Sequence, residues 1–274
     1  MKKVSSIKEY IDCIEEIRSL NKQKLPMVFR GQGNSEWPIR STLERAGIDK
    51  IFSKEYYKSI DYLKPEINSL GHHFERNFKE KEFEHNFSDI RNISFRNFPD
   101  IEYLSYLRHH GFPTPLIDVT QSEYIALFFA CEDMNEETDA KVFVFREDFG
   151  SAGVSSSPEL HKIGHYFESD RRHIAQQSEY LLALQFERVE KHCEWLFVPF
   201  SSFFERENSG RCEGWKESNI ESQSFFEIEI VGCAKKEIIA ELYKMNINHY
   251  TLYLDEDSLI RKLKYEFLQS MKND

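Results

Sequence analysis

The stretch "LRHHGFPTPLIDVTQSEYIALFFACEDM", residues 107–134, decides how the chain folds. Gly111 and Pro113 mark a turn, because glycine frees the backbone and proline fixes φ. Leu116–Val119 is a short apolar run bounded by that turn and reads as a strand. Thr120-Gln121-Ser122-Glu123 has the form of a capping box, with the Thr120 oxygen accepting a backbone N–H and Glu123 reaching back to the cap. Tyr124 to Cys131 is then a helix, apolar nearly all round and therefore mostly buried. Asp118 and Thr120 alternate along the strand, so they share a face.

Upstream, "PMVFRGQG" (residues 26–33) reads as a buried strand through Met27, Val28 and Phe29. It ends in Arg30, flanked by Gly31 and Gly33, which permit turns or a close approach that a side chain would forbid. A fixed guanidinium beside such backbone suits an anion, typically phosphate, and equally suits a local carboxylate. Before it, Ile7, Tyr10, Ile11, Ile14 and Ile17 recur at helical spacing behind Ser5 and Ser6, either of which can cap. Residues 34–48 read as a loop and turn anchored by Trp37. Residues 53–107 are polar, rich in Phe, Tyr, Glu and Lys, and helical in pattern; they read as an insertion broken by Pro65, Gly71 and Pro99.

Downstream, "KVFVFR" (141–146), "QQSEYLLALQFE" (176–187), "EWLFVPF" (194–200) and "SFFEIEIVG" (224–232) hold strands. "FGSAGVSSSP" (149–158) reads as a loop, "AKKEIIAELYKMN" (234–246) as a helix, "HYTLYL" (249–254) as a last short strand. "DEDSLIRKLKYEFLQSMK" (255–272) is a closing helix whose acidic start suits its N-terminus. The order is mixed rather than a steady β-α-β alternation, which predicts an α+β fold: a central mixed or antiparallel sheet with flanking helices, one domain over residues 1–274.

Of the 274 residues, 40% are hydrophobic and 23 are Phe, enough for a sizeable core. The net charge of −11 argues against a general nucleic-acid coat but leaves room for a small basic pocket. The five cysteines form no C-x-x-C pair and read as reduced thiols. The first residues enter an amphipathic pattern rather than a leader, and no apolar run approaches the roughly 20 residues of a membrane helix. The expectation is a soluble cytoplasmic protein with no membrane contact. No His, Cys and acid spacing matches a metal site, so no catalytic metal is expected. No P-loop, G-x-S-x-G or G-x-G-x-x-G occurs.

"FRGQGNSEW" (29–37) and "RHHGFPTPLIDVTQSEYIALFFA" (108–130) together resemble the FRG-domain family of prokaryotes. His109, Gly111, Pro113, Thr114, Leu116, Asp118, Thr120 and the "ALFFA" helix match the family's pattern. Arg108, His110, Pro115 and Val119 depart from it. "RHIAQQSEY" (172–180) resembles a later family block, with Gln176 in register, and residues 236–263 resemble its C-terminal part.

The chain also resembles ADP-ribosyltransferases of the Arg-Ser-Glu type. Arg30 stands on an early strand, Thr120 precedes a helix with the pattern "YIALFFA", and Gln177-Ser178-Glu179 opens a later strand. The resemblance implies NAD as the substrate. Arg30, Gly31, Gln32, His109, Asp118 and Gln176 would bind the cofactor, and Glu179, Gln177 and Thr120 would be catalytic. A carboxylate such as Glu179 would stabilise the oxocarbenium-like ribose formed when nicotinamide leaves. The acceptor would be a protein or a nucleic acid, with a partner protein from the same operon, and the role that of a toxin or anti-phage defence effector. Two other functions remain open on the sequence. One is a non-catalytic sensor of a nucleotide-like ligand. The other is a metal-independent nuclease or nucleotide hydrolase using His109 or His110 with Asp118.

Overall fold

A computed structural model describes residues 2–21, 24–76, 99–146, 159–164, 171–189, 192–202 and 225–273. In chain order these hold β1 (Lys2–Val4), α1 (Ile7–Leu20), β2 (Met27–Gln32), α2 (Thr42–Arg45), β3 (Ile51–Phe52), α3 (Ser53–Asp61) and α4 (Lys64–Asn68). Then come α5 (Ile101–His109), β4 (Ile117–Thr120), α6 (Glu123–Cys131), β5 (Ala140–Arg146), β6 (Glu159–Ile163), α7 (Arg171–Ala175), β7 (Ser178–Val189) and β8 (His192–Phe197). The chain closes with β9 (Phe225–Ile230), α8 (Lys235–Lys244), α9 (His249–Tyr253) and α10 (Glu256–Asn273).

The described strands form one sheet in the order β1-β9-β5-β2-β4-β7-β8-β3, with β6 also paired to β7. Only β1 runs parallel to its neighbour; the other pairs are antiparallel. The fold is therefore α+β around a mixed, mainly antiparallel sheet. On one face α1, α6 and α8 bury Tyr10, Ile14, Phe29, Phe128 and Ile239 in a common core. Further along the sheet α3 and α5 bury Tyr57, Leu104 and Tyr180. Val28, Val119, Phe145, Leu181 and Phe200 form a third cluster.

The joint that positions everything else is β2 against α6. A Cβ built on Gly31 would lie 1.9 Å from the Ala126 carbonyl oxygen and 2.6 Å from the Ala130 backbone nitrogen. Two alanines one turn apart on α6 let its backbone reach the strand, and glycine on the strand completes the contact. Gly31 thus serves helix–strand packing as well as lining a cavity.

Beyond that contact β2 splits from one neighbour. Its pairing with β5 continues over six residues, from Met27↔Arg146 to Gln32↔Lys141. Its pairing with β4 is limited to Phe29↔Thr120. Where the ladder would continue, the Asp118 carbonyl instead accepts from Arg30 Nη1 at 2.6 Å.

Several expectations are corrected. Thr120 ends β4, and Ser122 caps α6 by accepting the Ile125 N–H at 3.3 Å. "HYTLYL" is helical, because Asn248 and Thr251 form a reciprocal capping pair that starts α9. Trp37 is 58% exposed, so its side chain is not a buried anchor for the loop. The expected insertion appears as α3, α4 and α5; residues 77–98 and the loop at 149–158 lie outside the described residues.

Gly31→Ala is expected to destabilise the fold by about 2–4 kcal/mol, since backbone on both sides of the new methyl must move. Urea unfolding checks this: the midpoint should fall while the slope is kept.

Candidate functional site

The splayed strands open a cavity of about 490 Å³. Arg30, Gly31 and Gln32 come from β2, Asp118 and Thr120 from β4, and Arg108 and His109 from the end of α5. Phe129 and Glu132 come from α6 and its cap, Arg172 and Gln176 from α7 and the turn after it, Ser178 from β7, and Tyr253 from α9. Arg45 and the exposed Trp37 also line it.

Arg30 is held at the split. Its Nη1 donates to the Asp118 carbonyl, its Nε donates to Gln32 Oε1 at 3.4 Å, and its guanidinium lies 3.9 Å from the Asp118 carboxylate. Gln32 is itself buried and donates to the Trp37 carbonyl at 2.9 Å. Burial lowers the Arg30 pKa to about 10, with Asp118 opposing and Arg108 and Arg45 adding to the drop. Arg30 therefore stays charged near neutral pH but is poorly compensated.

Asp118 also accepts a short hydrogen bond from Arg108 Nη2. Burial opposes its ionisation, yet Arg108 and Arg30 outweigh that and hold its pKa below the usual carboxylate value. Thr120 Oγ1 donates to the Gln176 carbonyl at 2.7 Å and accepts the Ser122 N–H at 3.2 Å. Gln176 Nε2 in turn donates to the Leu252 carbonyl at 3.0 Å. His109 Nε2 lies 3.4 Å from the Tyr180 hydroxyl, which pairs with Ser105 at 2.8 Å.

On the far wall Tyr253 donates to Glu132 Oε2 at 2.9 Å. The Arg172 guanidinium lies over the Tyr253 ring, 4.3 Å from its centre. Burial raises the Glu132 pKa, against the Tyr253 hydrogen bond and the charges of Arg261 and Arg172.

Of the residues expected at a site, Arg30, Gly31, Gln32, His109, Asp118, Thr120 and Gln176 line this one cavity. Glu179 and Gln177 are not brought to it. Strand β7 pairs Ser178 with Thr120, Glu179 with Val119 and Tyr180 with Asp118. Side chains alternate, so Ser178 and Tyr180 share the cavity's face and Glu179 points to the other. There its carboxylate, 2% exposed, lies 3.0 Å from Lys162 Nζ and accepts from Gln121 Nε2 at 2.7 Å. Gln177 is exposed with φ +47°, in the turn before β7 rather than on the strand. His110 caps α5 against Tyr106 and does not line the cavity.

Sequence reasoning missed Arg45, Arg108, Arg172, Glu132 and Tyr253. Arg108 carried a signal, as a charged departure from the resembled motif beside its matching residues. Arg172 carried one too, as the first residue of the resembled block at 172–180, whereas Arg45, Glu132 and Tyr253 arrive from separate elements and carried none. Among the described residues no group of three or more His, Cys, Asp or Glu side chains could hold a metal ion. No helix among them is long and apolar enough to cross a membrane.

Since the Asp118 pKa is depressed in the fold, its stabilising effect is present above about pH 4 and disappears as pH falls through the native value. Asp118→Asn should lower the melting temperature near pH 7 and flatten its decline toward acid, as thermal melts across that range would show.

No curated protein and no solved structure gives a significant match to the chain. Residues 26–139 do match a family model, described as the FRG domain. The matched span holds β2, α5, β4 and α6, and with them Arg30, Arg108, Asp118, Thr120 and Glu132; the blocks around 172–180 and 236–263 fall outside it. By that match residues 26–139 are similar to the FRG domain.

Proposed function

We propose that the protein binds a nucleotide-like, phosphate-bearing small molecule in the cavity between β2 and β4. The observation that carries this is the lining: four arginines against two carboxylates in a chain of net charge −11. Concentrating cations around a recess of about 490 Å³ is costly unless an anion completes them. Arg30 and Arg108 can each present a planar fork of donors, suited to phosphate oxygens. Trp37 at the mouth, with Phe129 inside, offers apolar surface for a planar ring.

Ligand sensing follows from this arrangement more directly than group transfer. The acid assigned to catalysis by resemblance, Glu179, is neutralised by Lys162 on the opposite face of β7. NAD still belongs among the ligands, because Arg30 and Thr120, two of the three parts that the transferase resemblance names, line one cavity. Turnover would be read as released nicotinamide.

Pyrophosphate, ADP or NAD at saturating concentration should raise the melting temperature, by about 2–4 °C per kcal/mol of binding free energy. Arg30→Ala and Arg108→Ala should each abolish the rise, whereas Glu179→Gln should keep it. No rise with any of the three anions would overturn the proposal.

A release assay with NAD gives the companion outcome. A sensor shows no nicotinamide above background. Release that vanishes in Glu179→Gln, with the melting response retained, would restore the transferase reading.

A further inference from the structure

The ionic contacts of the cavity fall into two groups. Arg30, Arg45, Arg108, His109 and Asp118 act on one another. Glu132, Tyr253, Arg172 and Arg261 form the second group. Thr120 and Gln176 line the same cavity, joined by the hydrogen bond from hydroxyl to carbonyl. A phosphate satisfies the first group and not the second, because a carboxylate repels it.

We propose that Glu132 and Tyr253 form a ribose subsite, so that the cavity takes a ribonucleoside phosphate with its phosphates at Arg30 and Arg108 and its vicinal hydroxyls at Glu132. This rests on the nucleotide reading above and specifies the other end of the ligand.

The geometry favours hydroxyls. Glu132 Oε2 already accepts from Tyr253. Glu132 Oε1 accepts no hydrogen bond among the described residues, although the residue lines the cavity. An under-satisfied carboxylate oxygen in a recess calls for a donor. A cationic donor is disfavoured, because Arg172 and Arg261 already set positive charge against Glu132. A neutral pair of O–H donors fits, which is how a carboxylate holds ribose hydroxyls in nucleotide sites generally. Arg172 also occupies the Tyr253 ring, leaving the phenol to fix the carboxylate rather than to stack.

Calorimetric titration of the full chain with ADP, UDP, their 2′-deoxy counterparts and pyrophosphate tests this. ADP and UDP should each bind about tenfold more tightly than the deoxy form, and pyrophosphate should bind more weakly than both ribonucleotides. Glu132→Gln should reduce ADP to the deoxy level and leave pyrophosphate affinity unchanged. Equal binding of ribo and deoxy forms overturns the subsite while the anion site stands, and that comparison needs no variant. A Glu132→Gln loss equal for ADP and pyrophosphate also overturns it. If pyrophosphate and all nucleotides fail to bind, the nucleotide reading falls and the subsite with it.

Discussion

The contact between Gly31 and the backbone of α6 governs the rest of the molecule. A Cβ at position 31 would sit 1.9 Å from the Ala126 carbonyl oxygen, far inside van der Waals contact. With the helix so close, Phe129 and Glu132 at its end are carried to the same recess as Arg30, one residue before the glycine. Close approach also fixes the height of the helix over the sheet, so the cavity's depth is set by two alanines and a glycine rather than by its own polar lining. The Phe-Arg-Gly sequence is thereby a mechanical unit: Phe29 packs in the core, Gly31 admits the helix, and Arg30 is left to the cleft.

Electrostatics then decide what the cleft tolerates. Arg30 loses hydration and keeps hydrogen bonds to the Asp118 carbonyl and Gln32, but its carboxylate partner Asp118 stands off at 3.9 Å and gives its short contact to Arg108. The single aspartate is shared between two guanidiniums. With its side chain 40% exposed, Asp118 is partly screened, yet it is the carboxylate that links the two guanidiniums across the cleft. It still leaves a surplus of positive charge, which is the feature an anion reads. The same acidic chain whose overall charge would repel a polyanion thus keeps a local site for a small one.

Periodicity made most of the sheet legible. The runs at 27–29, 141–146 and 224–232 alternate or stay apolar for a strand's length, and "YIALFFAC" reads as a buried helix because capping residues stand directly before it. Short segments defeated the same argument. "HYTLYL" alternates well enough for a strand, but Asn248 before it offers the backbone a cap, and five residues of helix result. Lys2–Val4 and Ile51–Phe52 are strands only because a neighbour pairs with them, which no local pattern records. The half of the site carried by residues 30–32 and 109–120 was visible because it clusters in sequence. Glu132, Arg172 and Tyr253 meet only through the packing of three helices.

Glu179 shows how one residue of parity separates a resemblance from a site. The register of β4 on β7 is fixed by four consecutive pairs, from Ile117↔Leu181 to Thr120↔Ser178. A slip of one residue would bring Glu179 to the cavity's face. It would also turn Tyr180, Leu182 and Leu184 out of the core they share with α3 and α5, and strip Lys162 from its carboxylate. Each buried aromatic or leucine displaced costs about 2–5 kcal/mol, far beyond what one carboxylate in the cleft could return. The register is therefore held by the apolar side chains of β7, and the polar side chains that β4 and β7 themselves offer the cavity are the ones that register admits: Asp118, Thr120 and Ser178.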